Sequence, residues 1–445
     1  MLTVLANRTY RHLFLAQLIA LVGTGLATVA LGLLAYDIAG GDAGAVLGTA
    51  LAIKMVAYIG VGPIAGAFAD RVPRKALLVA LDLVRAAVAI CLPFVSEVWQ
   101  VYVLIFVLQA ASAGFTPTFQ ATIPDVLPDE GDYTRALSLS RLAYDMESLT
   151  SPMLAAALLT IINFHWLFSG TAIGFLASAA LVVSSGLARS AASPKADTGI
   201  YDKTTRGIRI YLKTPRLRGL LAVTLAAAAA SAMVIVNTVV IVRGLGFGQS
   251  QVALALAVYG GGSMLAALLL PRVLDRIADR AVMVSAAALL TVMLAGLATW
   301  GATAGGGRIG WTVLLLTWPL LGIAYSMSVT PSGRLLRRSA SAGDRPALFA
   351  AQFALSHVCW LIAYPLVGQL GATIGMPAAL TAMAGLSGIG FFAAVALWPK
   401  SDPQEIAHDH ETLGPDHPHL RQDHSGGNQS HVFVIDDLHQ HWPRQ

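Results

Sequence analysis

Charge is what this sequence has least of. Only 12% of its 445 residues are Asp, Glu, Lys or Arg, about half the share of an ordinary soluble domain. With a mean hydropathy of +0.68, that scarcity excludes a water-soluble globule and points to a polytopic membrane protein. Cysteine is nearly absent too. Cys91 and Cys359 are the two present, both inside apolar runs, which excludes a disulfide framework and a cysteine-based metal centre. Three catalytic signatures are missing: a His-Glu-x-x-His pair, a Gly-x-Ser-x-Gly elbow and a Walker loop. Their absence argues against a zinc hydrolase, a serine hydrolase and an ATP-driven machine, so the chain is read as no enzyme. The net charge of +5 is spread over short loops, which leaves no basic surface for a nucleic-acid partner. No cleavable leader is expected, because the first apolar run, about 13–36, is longer than a signal core and has no polar cleavage zone.

What is abundant is the apolar run. A membrane span needs roughly 20 apolar residues. Counting such runs predicts an all-α membrane protein with twelve spans, near 12–37, 45–68, 76–95, 98–122, 136–161, 165–187, 218–242, 250–270, 281–300, 311–332, 347–369 and 376–398. Lys54, Arg85 and Arg141 fall inside spans, and Arg243 and Arg308 in one set of loops; every other Lys and Arg falls on the opposite side. By the positive-inside rule that side, with both termini, is cytoplasmic. The polar, basic stretch 188–217 reads as a linker between a six-helix unit at 1–187 and a second at 218–399. Landmarks recur about two hundred residues apart and in the same order. Asp70-Arg71 answers to Asp275-Arg276, Thr116-Pro117 to Thr330-Pro331, and Arg135 to Arg345. The two halves are therefore expected to be pseudo-symmetric repeats of one six-span unit.

Between the second and third runs lies a charged, turn-prone knot, Gly66-Ala67-Phe68-Ala69-Asp70-Arg71-Val72-Pro73-Arg74-Lys75. Read alone, it is a basic inner loop that orients the chain. Its Asp-Arg core and spacing resemble the motif between spans 2 and 3 of the major facilitator superfamily, with Gly66, Asp70, Arg71, Arg74 and Lys75 all in place. That resemblance implies two six-helix halves with a substrate site between them at the midplane. It also implies that Asp70, Arg71 and Arg74 lock the cytoplasmic ends of the halves together when the cavity faces out, with Asp275-Arg276 as a weaker second copy. Two family landmarks are altered: span 4 carries Gln109 and no base, and the Gly-Pro of antiporter span 5 is reduced to Ser151-Pro152.

An ionised group at the bilayer centre costs about 3 kcal/mol on insertion scales, so it is normally paired or functional. Asp82 and Arg85, three apart on span 3, read as a structural pair at the inner rim; Arg141 and Asp145, four apart on span 5, share a helix face and read likewise. Lys54 has no local partner. Glu147 is then the unpaired acid of span 5, and the offset that carries Arg135 onto Arg345 carries Glu147 onto His357. Both are expected near the midplane, facing water or each other, where carboxylate and imidazole can exchange protons for a metal ion. The alternative is that His357 bonds a backbone carbonyl and Glu147 is protonated against a neighbour. Asn237 in span 7 is a third pathway candidate.

After Lys400 the composition changes. Residues 400–445 hold eight of the eleven histidines: His408, His410, His417, His419, His424, His431, His439 and His441. Interleaved with carboxylates and punctuated by Pro and Gly, the segment is expected to be disordered without metal and to bind divalent ions such as Ni²⁺, Co²⁺, Zn²⁺ or Cu²⁺. With this tail, and with stretches such as Asn7-Arg8-Thr9-Tyr10-Arg11-His12-Leu13-Phe14 and Phe115-Thr116-Pro117-Thr118-Phe119-Gln120, the chain resembles the nickel-resistance exporters of the major facilitator superfamily. The resemblance implies a monomer in a bacterial inner membrane that exports Ni²⁺, with Co²⁺ as a second candidate, by proton antiport and with no resident cofactor. A multidrug or siderophore exporter with an incidental tail, and a metal-responsive membrane receptor without flux, are the competing readings.

Overall fold

The computed structural model describes residues 2–69, 73–187, 200–303, 309–341, 344–401, 405–408, 429–435, 439 and 442. A chain in lipid must satisfy its backbone polar groups internally, and the apolar runs do so as helices. The first half comprises α1 (Arg8–Ala39), α2 (Ala43–Ala69), α3 (Arg74–Cys91), α4 (Val98–Val126), α5 (Glu130–Leu158) and α6 (His165–Ser184). The second comprises α8 (Pro215–Gly244), α9 (Gln249–Leu274), α10 (Asp279–Thr303), α11 (Trp311–Val329), α13 (Arg345–Thr373) and α14 (Met376–Leu397). Two shorter helices, α7 (Ile200–Lys213) and α12 (Ser332–Arg338), lie between long ones.

These twelve long helices coincide with the twelve predicted runs. Ten stretches among the described residues are long and apolar enough to cross a membrane, and the first, Arg8–Val61, runs through both α1 and α2. The exception is α5, whose middle carries Arg141, Asp145 and Glu147.

An even helix count puts both ends of the bundle on one face, here the terminal face; the turn between α1 and α2 lies on the far face. Three far-face turns need a left-handed residue, and glycine supplies it: Gly40 (φ +54°), Gly246 (φ +85°) and Gly375 (φ +116°). Within the first half α1 packs on α5 and α6, α3 on α4 and α6, and α2 on α4; within the second, α8 and α10 pack on α14 and α9 on α11. Across the seam, α2 meets α13 and α5 meets α9.

That seam is tight on the far face. A Cβ on Gly48 would lie 2.4 Å from the Tyr364 carbonyl oxygen, and one on Gly368 would lie 2.2 Å from that of Gly44. Glycine lets the two backbones touch there. Asp37 and Arg243 pair at 3.7 Å. Gln249 and Ser250 at the start of α9 donate to the carbonyls of Ile162 (3.4 Å) and Leu159 (3.3 Å). The far face is thus closed by contacts between the halves.

Two further elements lie on the terminal face. Within the linker, α7 clamps the start of α13, through Arg206 to Asp344 (2.6 and 3.1 Å), a close approach of Gly207 to Ala347, and Tyr211 to Gln352. Strands β1 (Glu405–His408) and β2 (Gln429–Val432) pair antiparallel, with Glu405 opposite Val432. Phe433 and Ile435 then bury against Ile210, Tyr211, Leu217 and Trp398, while the Trp442 ring lies 5.0 Å from the guanidinium of buried Arg216. Apolar residues between the histidines drive this docking.

Candidate transport site

Midway along α2, Lys54 is half-buried, and Glu147 of α5 attracts it electrostatically. Among the described residues neither makes a direct ion pair. Glu147 is held against α1, since a Cβ at Gly25 would come within 2.7 Å of its Oε1 and 2.1 Å of Ser151 Oγ. Gly25 therefore lets α5 seat its carboxylate. Lys54, without a partner on its own helix, thus has a carboxylate within electrostatic reach on α5, and Glu147 has an ammonium within reach on α2. This attraction spans different helices, which i,i+3 and i,i+4 spacing cannot reveal.

From the other half, α13 brings His357 to the same place. Its ring centroid is 5.2 Å from that of Tyr58 and 4.0 Å from that of Phe353. The Lys54 ammonium in turn lies 5.9 Å from the Tyr58 centroid and within electrostatic reach of His357. Nδ1 of His357 is 2.6 Å from the Phe353 carbonyl oxygen, so the backbone-carbonyl alternative holds for that nitrogen. A ring donating through Nδ1 keeps the Nε2 lone pair for a ligand or a proton. Glu147 and His357 thus share a neighbourhood through Lys54 and Tyr58, and no direct contact between them is seen. The sequence reading missed Tyr58 and Gly25; the i,i+4 spacing of Tyr58 from Lys54 was the available signal.

Asn237 lies elsewhere. Its Oδ1 would be 2.9 Å from a Cβ at Gly44 and 3.2 Å from one at Gly371, so it is wedged in the closed far-face seam, away from the Lys54 cluster. Arg141 and Asp145 lie on α5, but their side chains are outside the described residues. The Asp82–Arg85 pair is present and buried; Asp82 also accepts from Ser178 Oγ at 2.7 Å, and the guanidinium lies 4.2 Å and 4.6 Å from the rings of Phe115 and Phe175.

Of the knot, Asp70 and Arg71 fall outside the described residues, and Gly66 begins the last turn of α2. Arg74 pairs with Asp125 at the end of α4, and Lys75 Nζ donates to the Ser185 carbonyl at 3.1 Å. Both contacts stay within the first half. The second half repeats the device with its charges exchanged: Asp279, opening α10, pairs with Arg334 of α12 at 3.2 Å and Arg338 at 4.0 Å. Asp275 and Arg276 are exposed in the turn before it. In the tail, His439 is buried with its ring 4.8 Å from Phe433. His408 and His431 sit in β1 and β2, and His410, His417, His419, His424 and His441 are outside the described residues. Among the described residues no group of three potential metal ligands occurs.

Comparison with known proteins follows this geometry. A family model, Major Facilitator Superfamily, matches residues 13–303 and 219–421. An uncharacterized MFS-type transporter, YfiS of Bacillus subtilis, is 26% identical over 276 residues, covering 61% of this chain and 64% of that one; the match thus spans under two thirds of the relative. Macrolide efflux protein A of Streptococcus pyogenes is 28% identical over 125 residues, 26% of this chain and 31% of its own. Among solved structures, the nucleoside transporter NupG aligns over 88% of this chain and 100% of its own, with a TM-score of 0.66 at 14% identity. A D-xylose-proton symporter aligns over 88% and 96%, with a TM-score of 0.62 at 15% identity. These structural likenesses concern the fold.

Proposed function

Given that this chain belongs to the Major Facilitator Superfamily, we propose that it is a proton-coupled exporter whose coupling group is Glu147, countered by Lys54. The protein is a multi-pass secondary transporter and not an enzyme. The observation that carries the finer reading is the half-buried carboxylate at mid-span, attracted by a lysine on another helix that also lies within electrostatic reach of an imidazole from the opposite half. A Glu147 carboxylate that accepts a proton becomes neutral and releases its hold on Lys54; one that loses it recaptures Lys54. Two charge states thus correspond to two arrangements of α2 against α5, which is the requirement for coupling proton movement to alternating access.

The Lys and Arg bias makes the terminal face cytoplasmic in this reading, so the closed far face corresponds to a cavity that loads from the cytosol. The six-helix halves at 1–187 and 218–399 rock about the seam as one monomer. The knot at Asp70, Arg71 and Arg74 serves the opposite conformer, consistent with Arg74 and Lys75 pairing inside their own half here.

The substrate that fits the core best is an amphipathic organic molecule. One carboxylate, one imidazole and a neighbouring ammonium make a poor cage for a divalent ion, whereas Tyr58 and Phe353 offer aromatic surface. The macrolide efflux relatives point the same way. Export of Ni²⁺ or Co²⁺ is the second reading, favoured by the eight histidines of residues 400–445, which would gather the ion at the cytoplasmic mouth. Accumulation in cells with and without the gene, run with erythromycin, Ni²⁺, Co²⁺ and Zn²⁺, separates them. Lower erythromycin content is expected. Lower Ni²⁺ with unchanged erythromycin would transfer the function to the second reading.

A further inference from the structure

We infer that the C-terminal segment is a metal-released latch. It docks on the terminal end of the second half while its histidines are free of metal, and divalent metal ions draw it off. The inference goes beyond the exporter reading and holds for either cargo. The docking site is built into the fold. Trp398, just after α14, is buried over Gly219 of α8, where a Cβ would stand 2.6 Å from its side chain. Arg280 Nε, at the start of α10, donates to the Trp398 carbonyl at 3.0 Å. Phe433 and Ile435 are buried in one apolar cluster with Trp398 and with Tyr211 of α7. The rings of His439 and Trp442 lie 4.8 Å and 5.1 Å from that of Phe433. A knot of three rings thus holds the end of the segment.

Charge assists the docking. Residues 400–445 hold eight acids and three bases, a net charge of −5 with neutral imidazoles. The platform beneath is basic: Arg209 and Lys213 are exposed on α7, and Arg216, Arg218 and Arg280 belong to α8 and α10. The acids Asp344 and Asp279 beside it are already engaged, by Arg206 and Arg334. Opposite potentials of this kind favour the docked, metal-free state. Each divalent ion held by neutral imidazoles adds two positive charges to the segment, so three ions would reverse its sign.

His439 makes the docked and metal-bound states exclusive. Its imidazole is 6% exposed, packed on Phe433 inside the dock. A dication cannot follow it there, because a charge buried without compensating partners is costly. In the docked arrangement the described residues bring no three potential metal ligands together. An ion that recruits His439 with other histidines must therefore draw it out, and Phe433 loses one of its two ring neighbours. Tyr211 carries the consequence inward. It shares the buried cluster with Phe433, and its hydroxyl donates to Gln352 of α13, the helix that meets α2 across the seam. Release removes one wall of α7 where it clamps α13.

The test is chymotrypsin cleavage after Phe433 in the full-length protein, in detergent at about pH 7.5, where free imidazole is neutral. Ni²⁺ or Mg²⁺ is added, and a peptide substrate corrects for effects on the protease. Cleavage should be slow without metal and about tenfold faster at saturating Ni²⁺, since it follows the undocked population. Mg²⁺ has the same charge but prefers oxygen ligands, and should leave the rate unchanged. The double variant Arg209→Gln, Lys213→Gln changes two exposed side chains and should raise the metal-free rate. Rapid metal-free cleavage of wild type overturns the docked state. A rate that Ni²⁺ leaves alone or lowers overturns release by metal. An equal response to Mg²⁺ overturns the role of the histidines, and a wild-type rate in the double variant overturns the basic platform.

Discussion

A single methyl group at Gly368 should shift the balance between the two faces of this transporter. In the far-face-closed arrangement a Cβ there would stand 2.2 Å from the Gly44 carbonyl oxygen, where ordinary contact needs about 3.4 Å or more. The obstruction is backbone, so no side chain can swing away, and α2 and α13 must separate by about 1 Å. Forcing extra atoms into such a packed site costs about 1–3 kcal/mol. At 1.4 kcal/mol per decade that is a shift of roughly 5- to 150-fold against the closed far face. Spin labels on Ile161→Cys and Ile374→Cys, exposed on the far face in opposite halves, would report it in protein freed of Cys91 and Cys359. Gly368→Ala should enrich the longer distances. Gly296→Ala, where a Cβ meets nothing within 4 Å, should leave the distribution alone. An unchanged distribution in Gly368→Ala, at full stability, would refute the glycine seam as the closing contact.

Three further perturbations probe other parts of the account. Asp82→Asn leaves Arg85 buried (4% exposed) without its counter-charge, and should destabilise the fold by about 3–5 kcal/mol, seen as a lower melting temperature in detergent; an unaltered melt would remove the pair from the structural core. Trp442→Ala removes the ring over Arg216, a contact worth about 0.5–2 kcal/mol, and should speed proteolysis of the tail without altering the span helices; equal cleavage rates would mean the docking is not held by that ring. Asp70→Asn should lower transport while preserving membrane insertion, and wild-type flux with wild-type accessibility on both faces would end the lock assignment.

The long helices were legible because a bilayer imposes a length and a composition that few other environments do. Likewise Asp82 and Arg85 were legible as a pair because a helix brings residues three apart onto one side. What stayed hidden depends on which helices neighbour one another. Lys54 finds its counter-charge on α5, and nothing in the local sequence of either helix marks the other. Gly44, Gly48 and Gly368 close the seam, yet they look like any others among 42 glycines. Asn237 read as an intramembrane polar group and turned out to be a wedge between those glycines. The docked end of the tail had a visible sign that the histidines overshadowed: Val432-Phe433-Val434-Ile435 is an apolar, β-branched run. In α7 the sign was apolar spacing at Ile208 and Tyr211 along a basic segment, a helical pattern within what read as a linker.

The central claim is that Glu147 couples substrate movement to protons. The most direct measurement is proton flux in proteoliposomes carrying a pH-sensitive dye, triggered by erythromycin or by Ni²⁺, for wild type and Glu147→Gln. The account predicts a substrate-triggered pH change in wild type that disappears in Glu147→Gln while the protein remains folded and inserted. An equal pH change in the mutant would contradict it.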